Sequence, residues 1–163
     1  MILNEATVRE IKKRAVRYPS RRSAILPALT AAYKQVGHLD AEIYRELARV
    51  IDVPYVEVAE AASFYTMFPK EEVGTYLIQV CHNISCSLRG ADNMIEYLEE
   101  KLGIKLGDTT PDKMFTLISV ECLGCCANAP MFQIDDKYYE DLTREKIDKI
   151  IDDLRARAEK DSK

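Results

Sequence analysis

The sequence predicts an α+β protein in two parts: a helical bundle over residues 1–72, then a domain over residues 73–163 in which helices cover a small mixed sheet. Three observations predict it. Apolar residues recur at helical spacing through the first part, the period changes to that of strands after Pro69-Lys70-Glu71-Glu72-Val73-Gly74, and all five cysteines fall beyond that change. A chain of 163 residues buries roughly 70% of its unfolded surface, so it needs neither disulfides nor a metal simply to fold.

The first helix is expected behind a cap at Asn4 or Thr7, with Val8, Ile11 and Ala15 on one face, and ends near Pro19. A second fits Ser23 to Val36, with Ser23 as its N-cap, Pro27 tolerated in or near the first turn, and Gly37 as a left-handed stop. Asp40 caps a third that carries Ile43, Leu47, Val50 and Ile51 on one face. The fourth starts around Pro54 and presents Val58, Ala61, Ala62 and Tyr65 before Phe68-Pro69 breaks it. Nothing in these four helices has catalytic spacing, and the unit reads as a docking module.

In the second part, Thr75–Val80 is a β-branched and aromatic run that delivers Cys81 at its end. A helix over about Leu88–Leu102 follows, with Met94, Ile95, Leu98 and Leu102 inward and Gly103 as its stop. A second strand, Met114–Val120, delivers Cys122, and Met131–Ile134, a turn at Asp135-Asp136-Lys137, and Tyr138-Tyr139 form a hairpin. The last helix starts at Thr143, with a stripe of Ile147, Ile150, Ile151 and Leu154, and the residues from Glu159 are expected to fray. This β-α-β-β-β-α order resembles a thioredoxin-like domain.

Composition excludes several classes. With 47% hydrophobic and 31% charged residues the chain is neither disordered nor fibrous. No apolar run approaches the roughly 20 residues of a membrane span, and the first residues lack a basic start followed by an apolar stretch, so a cytoplasmic location is expected. Residues 1–22 carry Arg9, Lys12, Lys13, Arg14, Arg17, Arg21 and Arg22 against Glu5 and Glu10, a net of +5 on a chain whose total is −4. No aromatic residue interleaves these charges before Tyr18, so the stripe reads as a solvated helix face rather than a nucleic-acid surface.

The cysteines stand in two clusters, Cys81-His82-Asn83-Ile84-Ser85-Cys86 and Cys122-Leu123-Gly124-Cys125-Cys126, each directly after an expected strand. An odd thiol count in a reducing compartment points to metal or redox chemistry with one thiol left over. Three readings fit the spacing. Four thiolates can hold a [2Fe-2S] cluster, whose negative charge calls for backbone N–H donors such as loops around Ser85, Ser87, Gly90, Gly124 and Ala127 provide. A structural zinc site with four cysteine ligands tolerates the same intervals. Dithiol exchange at Cys122-Leu123-Gly124-Cys125 is weakened by position, since a thioredoxin's active pair follows the first strand, where Cys86 stands beyond Cys81 with four residues between them.

At these residues the chain resembles a known family, the E subunits of bacterial NADH:quinone oxidoreductase (respiratory complex I). The pattern is C-x4-C, 35 residues, then C-x3-C, set among Ser63-Phe64-Tyr65-Thr66-Met67-Phe68, Cys86-Ser87-Leu88-Arg89-Gly90-Ala91 and Glu121-Cys122 through Ala129-Pro130. Leu26-Pro27-Ala28-Leu29 and Gln35-Val36-Gly37 extend the likeness upstream, so it runs from about residue 5 to residue 155. The resemblance implies a thioredoxin-like domain holding one [2Fe-2S] cluster on Cys81, Cys86, Cys122 and Cys126, with Cys125 as the spare thiol. It also implies single-electron exchange with the FMN of a larger partner subunit that carries the NADH site and a [4Fe-4S] cluster, in the peripheral arm of a membrane-bound complex. The absence of G-x-G-x-x-G and of a P-loop fits a chain that borrows its flavin and nucleotide. A homologous diaphorase subunit of an NAD(P)-linked hydrogenase or formate dehydrogenase uses the same motif, and a zinc-stabilised adaptor is the alternative without redox chemistry.

Other residues read more plainly. His82 is expected as an exposed loop histidine beside a ligand, and His38 as a helix C-terminal residue facing the dipole. Phe64, Tyr65 and Phe68 divide between core and partner surface, and Arg89 between cluster charge and solvent. Ala129 is expected extended before Pro130.

Overall fold

The structure, a computed structural model, describes residues 2–161. The chain divides into two compact units between Glu72 and Val73.

The first unit contains α1 (Glu5–Ala15), α2 (Ile25–Val36), α3 (Ala41–Ile51) and α4 (Tyr55–Phe64). Asn4 is the cap of α1, its Oδ1 accepting from the Thr7 amide at 2.8 Å. Asp40 Oδ1 accepts from the amides of Glu42 and Ile43 at 2.9 Å each and so starts α3. Gly37 ends α2 at φ 79°, a left-handed position that only glycine reaches cheaply. Ser23 does not cap α2. It lies within a 3-10 turn, Arg22–Ala24, and its amide takes the Ser20 hydroxyl instead, so the helix starts at Ile25 with Pro27 in its first turn. Helix α4 stops short of Phe68 because Tyr65 turns extended. That bend leaves Phe64 77% exposed and carries Phe68 into the core, where its ring meets Tyr33 edge-on at 6.3 Å. Leu3, Ile11, Leu29, Leu47 and Val58 fill this core. Of the basic residues before Ser23, Arg9, Arg14, Arg21 and Arg22 pair with Glu5, Glu10, Asp52 and the Glu57/Glu60 couple, with every arginine at an exposed position.

The second unit runs β1 (Tyr76–Cys81), α5 (Ile84–Leu88), α6 (Ala91–Leu102), β2 (Phe115–Val120), β3 (Phe132–Ile134), β4 (Lys137–Tyr139) and α7 (Arg144–Asp161). Its sheet has the order β2-β1-β3-β4, with β1 parallel to β2 and the remaining neighbours antiparallel. The architecture is therefore α+β with a small mixed sheet. Ile78, Phe115, Leu117 and Phe132 bury their side chains completely, joined by Met94 and Leu98 from α6 and Ile147, Ile151 and Leu154 from α7. Gly74 leads into β1 so close to the neighbouring strand that a Cβ there would lie 2.9 Å from the Phe115 backbone.

The helix expected over about Leu88–Leu102 begins three residues later, as α6, and the short, unexpected helix α5 precedes it. Gly90, at φ 90°, breaks the path between α5 and α6 and leaves Leu88 84% exposed. Helices α6 and α7 are tied by Asp148, whose carboxylate accepts from Tyr97 Oη at 2.6 Å and pairs with Lys101 Nζ at 2.7 Å. Helix α7 continues through Asp161, so the expected fraying does not begin at Glu159; Ser162 and Lys163 lie outside the described residues.

Candidate metal centre

Strand β1 hands over the first thiol directly: Cys81 is its last residue, paired in register with Val120 of β2, and its amide donates to Met131 O at 3.3 Å. The chain then turns into α5. Asn83 caps that turn by accepting from the Ile84 amide at 2.9 Å, and its Nδ2 donates to Glu121 Oε2 at 2.9 Å, on the approach to the second loop. One helical turn returns the chain so that Cys86 faces inward beside Cys81. The two are 2% (Cys86) and 3% (Cys81) exposed, whereas Ile84 and Leu88 on the outer side of α5 are 73% and 84% exposed. Burial pushes the Cys86 thiol up to about 11, reinforced by a hydrogen bond with Cys81, while a backbone hydrogen bond from Met131 works the other way.

The second loop is built differently. Cys122 lies two residues beyond the end of β2, and Cys126 opens a 3-10 turn, Cys126–Asn128. Both thiols are exposed, and their sulfurs are 3.5 Å apart. Gly124, at φ 82°, directs its N–H to Cys122 Sγ at 3.4 Å. The loop is held from outside by the β3–β4 hairpin and the residue after it: Tyr138 Oη donates to Leu123 O at 2.7 Å, and the Glu140 carboxylate accepts from Cys125 Sγ at 3.0 Å and from Asn128 Nδ2 at 2.7 Å. These bonds hold the Glu140 carboxyl below the usual range and push Cys125 up to about 11. Cys126 is raised chiefly by its bond with Cys122, while the Ser85 hydroxyl, from the first loop, hydrogen-bonds Cys126 and lowers it. Cys81 pairs with Val120 and Asn83 bonds Glu121, so the two loops converge.

The four thiols therefore stand as two pairs, Cys81 with Cys86 and Cys122 with Cys126. Among the described residues no group of three or more His, Cys, Asp or Glu side chains closes around a point that would suit one ion. Two thiolates for each of two iron ions is the demand of a [2Fe-2S] centre, and this donor set fits it.

Of the N–H groups expected to surround such a centre, that of Gly124 points at a sulfur. The Ser87 and Gly90 amides are taken by Asn83 O and Ser87 O at 3.0 Å each, because α5 closes there; Ser85 contributes through its hydroxyl. His82 is exposed and fixed through its backbone to Val120 O, and the Arg89 side chain is exposed. Ala129 is extended, with φ −67° and ψ 151°, as its place before Pro130 requires. Asn83, Tyr138 and Glu140 hold the two cysteine loops, and the sequence does not single them out. Asn83 carries the ordinary signal of an N-cap before a short apolar turn, while Tyr138 and Glu140 lie 12 to 15 residues from the groups they hold and carry no local signal.

The family model that matches the chain is that of the thioredoxin-like [2Fe-2S] ferredoxins, over residues 11–155. Among curated proteins, an E subunit of NADH-quinone oxidoreductase from Rhizobium meliloti, numbered 2 in that organism, is 46% identical over 147 residues, covering 90% of this chain and 88% of its own. The E subunit of the same enzyme from Rickettsia conorii is 50% identical over 141 residues, covering 85% and 84%. Among solved structures, an NAD+-reducing [NiFe]-hydrogenase in its air-oxidised state superposes with a TM-score of 0.70 at 26% identity. That match covers 82% of this chain but 23% of the hydrogenase chain.

Proposed function

The chain belongs to the thioredoxin-like [2Fe-2S] ferredoxin family, and we propose that it is the electron-transfer subunit of the NADH dehydrogenase module of an NADH:quinone oxidoreductase, with Cys81, Cys86, Cys122 and Cys126 as the ligands of its cluster. The observation that carries this reading is the pairing of those four thiols at the ends of two adjacent parallel strands. When bound, a [2Fe-2S] centre takes up and returns one electron at a time. The chain's part is to hold the thiols in place before ligation, with a buried pair from β1 and α5 and an exposed pair on the loop after β2. Each ligating thiol gives up its proton, so the ligand set assembles with proton release and weakens as pH falls. Gly124 N–H supplies a donor to Cys122 Sγ, and the nearby Ser85 hydroxyl lowers the Cys126 thiol.

On this reading single electrons pass to and from the FMN of a larger partner that carries the NADH site and a [4Fe-4S] cluster. The exposed side of the centre supports it: Cys122 and Cys126 lie at the surface, as do Ile84 and Leu88 of the first loop, the kind of apolar rim that a partner covers. The helical unit through Glu72 serves as a docking module, supported by Val56, Phe64 and Met67, which are 65%, 77% and 56% exposed. No helix among the described residues is long and apolar enough to cross a membrane, in keeping with a place in the peripheral arm of the complex. A diaphorase subunit of an NAD+-reducing hydrogenase is the second reading, favoured by the structural match; the higher identity to the two E subunits, 46% and 50% against 26%, favours the first.

The purified protein tests the reading. We expect a coloured protein with an electron paramagnetic resonance signal after reduction, lost in Cys126→Ala and kept in Cys125→Ala. A colourless protein with stoichiometric zinc overturns the function, and the opposite behaviour of the two variants overturns the ligand set.

A further inference from the structure

Two adjacent thiols, Cys125 and Cys126, follow Cys122 in one loop, yet they have different partners. Cys126 Sγ lies 3.5 Å from Cys122 Sγ, whereas Cys125 Sγ donates to Glu140 Oε1 at 3.0 Å. We propose that Glu140 is a positioning residue that selects the ligand, holding Cys125 out of the cluster site and leaving the fourth position to Cys126. The proposal rests on the ligand set put forward above.

The geometry is that of a clip with two prongs and a fixed base. The second prong, Glu140 Oε2, accepts from Asn128 Nδ2 at 2.7 Å, so one carboxylate grips the loop on both sides of Cys126. Its base cannot drift. The Asp141 amide donates to Asn128 O at 2.8 Å and the Leu142 amide to Pro130 O at 3.0 Å, which sets the segment after β4 against the end of the cysteine loop. Lys146, in the first turns of α7, donates through Nζ to Asp141 O at 2.8 Å and to Glu140 O at 3.4 Å. Hydrogen bonds to an ionised carboxylate are among the stronger ones, and two from one loop fix that loop's rotation as well as its distance. For Cys125 to ligate, its sulfur must leave Glu140 and the turn at Cys126–Asn128 must rotate, which also strips Asn128 from the carboxylate. The loop's outer end offers the freedom for that rotation, where Gly124 supplies a flexible joint at φ 82°. Removing the clip would leave two neighbouring thiols with similar access to one site.

The test uses the full chain purified with its cluster and reads iron content together with the resonance signal of the reduced protein. Cys126→Ala alone loses the cluster. Adding Glu140→Ala to it releases Cys125, so iron and a signal with shifted g values return, and a third change, Cys125→Ala, removes them again. Cys126→Ala with Glu140→Gln stays without a cluster, since the amide oxygen still accepts from Cys125; this control separates the loss of the clip from mere disturbance of position 140. If the double variant with Glu140→Ala is as empty as Cys126→Ala while its circular dichroism is unchanged, Glu140 does not select the ligand and the proposal fails while the ligand set stands. If Cys126→Ala alone keeps a cluster that Cys125→Ala then abolishes, Cys125 enters freely with Glu140 in place and the proposal also fails. Loss of the cluster in Cys125→Ala alone overturns the ligand set itself, and the proposal with it.

Discussion

The two cysteine loops reach the same site by different physical means. The first is built from regular structure: Cys81 is a strand residue flanked by paired neighbours, Cys86 sits one helical turn later, and both are at most 3% exposed within the core of the second unit. The second has exposed thiols on an irregular loop, positioned by Gly124 and by side chains that come later in the chain. Burial gives the first pair rigidity and makes it depend on the stability of the whole unit. The second pair depends on a few hydrogen bonds that can fail while the unit stays folded. A site made of one rigid and one clipped half can keep its place in the fold and still admit a cofactor from the exposed side.

The sharpest way to break this comparison is through Met131. Its side chain is completely buried, and its backbone accepts from Cys81 and hydrogen-bonds to Cys86. Met131→Ala is expected to cost about 2–5 kcal/mol of folding stability, as large-to-small core changes do. Urea denaturation followed by circular dichroism measures it, and iron release to a chelator should accelerate in step. An unchanged urea midpoint would mean that the first loop is not carried by the core.

Much of the rigid half was legible in the sequence and little of the clipped half was. The strand before Cys81, the strand before Cys122 and the hairpin at Asp135-Asp136 follow from period-two patterning and turn residues, and the structure places each within a residue or so of its expected bounds. The four proposed ligands rest on resemblance, because spacing alone leaves Cys125 and Cys126 interchangeable. Two features escaped for a physical reason. The break at Gly90 needs a left-handed glycine that pattern alone reads as a tolerated helix residue. Tyr138 and Glu140 act on groups 12 to 15 residues away, and no local rule fixes which side of a turn a tyrosine or glutamate will face.

Tyr138→Phe probes the clipped half with a smaller expected effect. It removes only the hydroxyl that donates to Leu123 O at 2.7 Å, on a side chain already 44% exposed. The net loss of such a bond is about 0.5–1.5 kcal/mol, and water can replace it here, so the urea midpoint should move at the low end of that range. Iron release should nonetheless quicken, because the carbonyl that anchors the loop beside Cys122 is let go. The comparison sharpens if chelator kinetics respond and denaturation scarcely does; a midpoint lowered as far as in Met131→Ala would erase the distinction between the halves.

Asp148 supplies the smallest effect and a control away from both loops. Hydrogen bonds from Lys101, and then from Tyr97, hold its carboxyl below the ordinary value, against the weaker penalty of burial. Lys101 also reaches Asp152 at 3.9 Å, and Arg144 lies over the Tyr97 ring at 4.9 Å, so the groups facing Asp148 come from both α6 and α7. A carboxylate whose pKa falls on folding stabilises the folded form above its unfolded value of about 3.9, and that contribution drains away as pH drops through the lower folded value. Asp148→Asn should therefore lower the urea midpoint at neutral pH, with the gap from the wild type closing as the pH falls below about 4. The gap should also narrow in high salt, since the pair is partly exposed. Iron release from the variant should match the wild type at neutral pH. An accelerated release would show that the α6–α7 tie reaches the cysteine loops, and the separation of a core-borne pair from a clipped pair would then have to include the helices behind them.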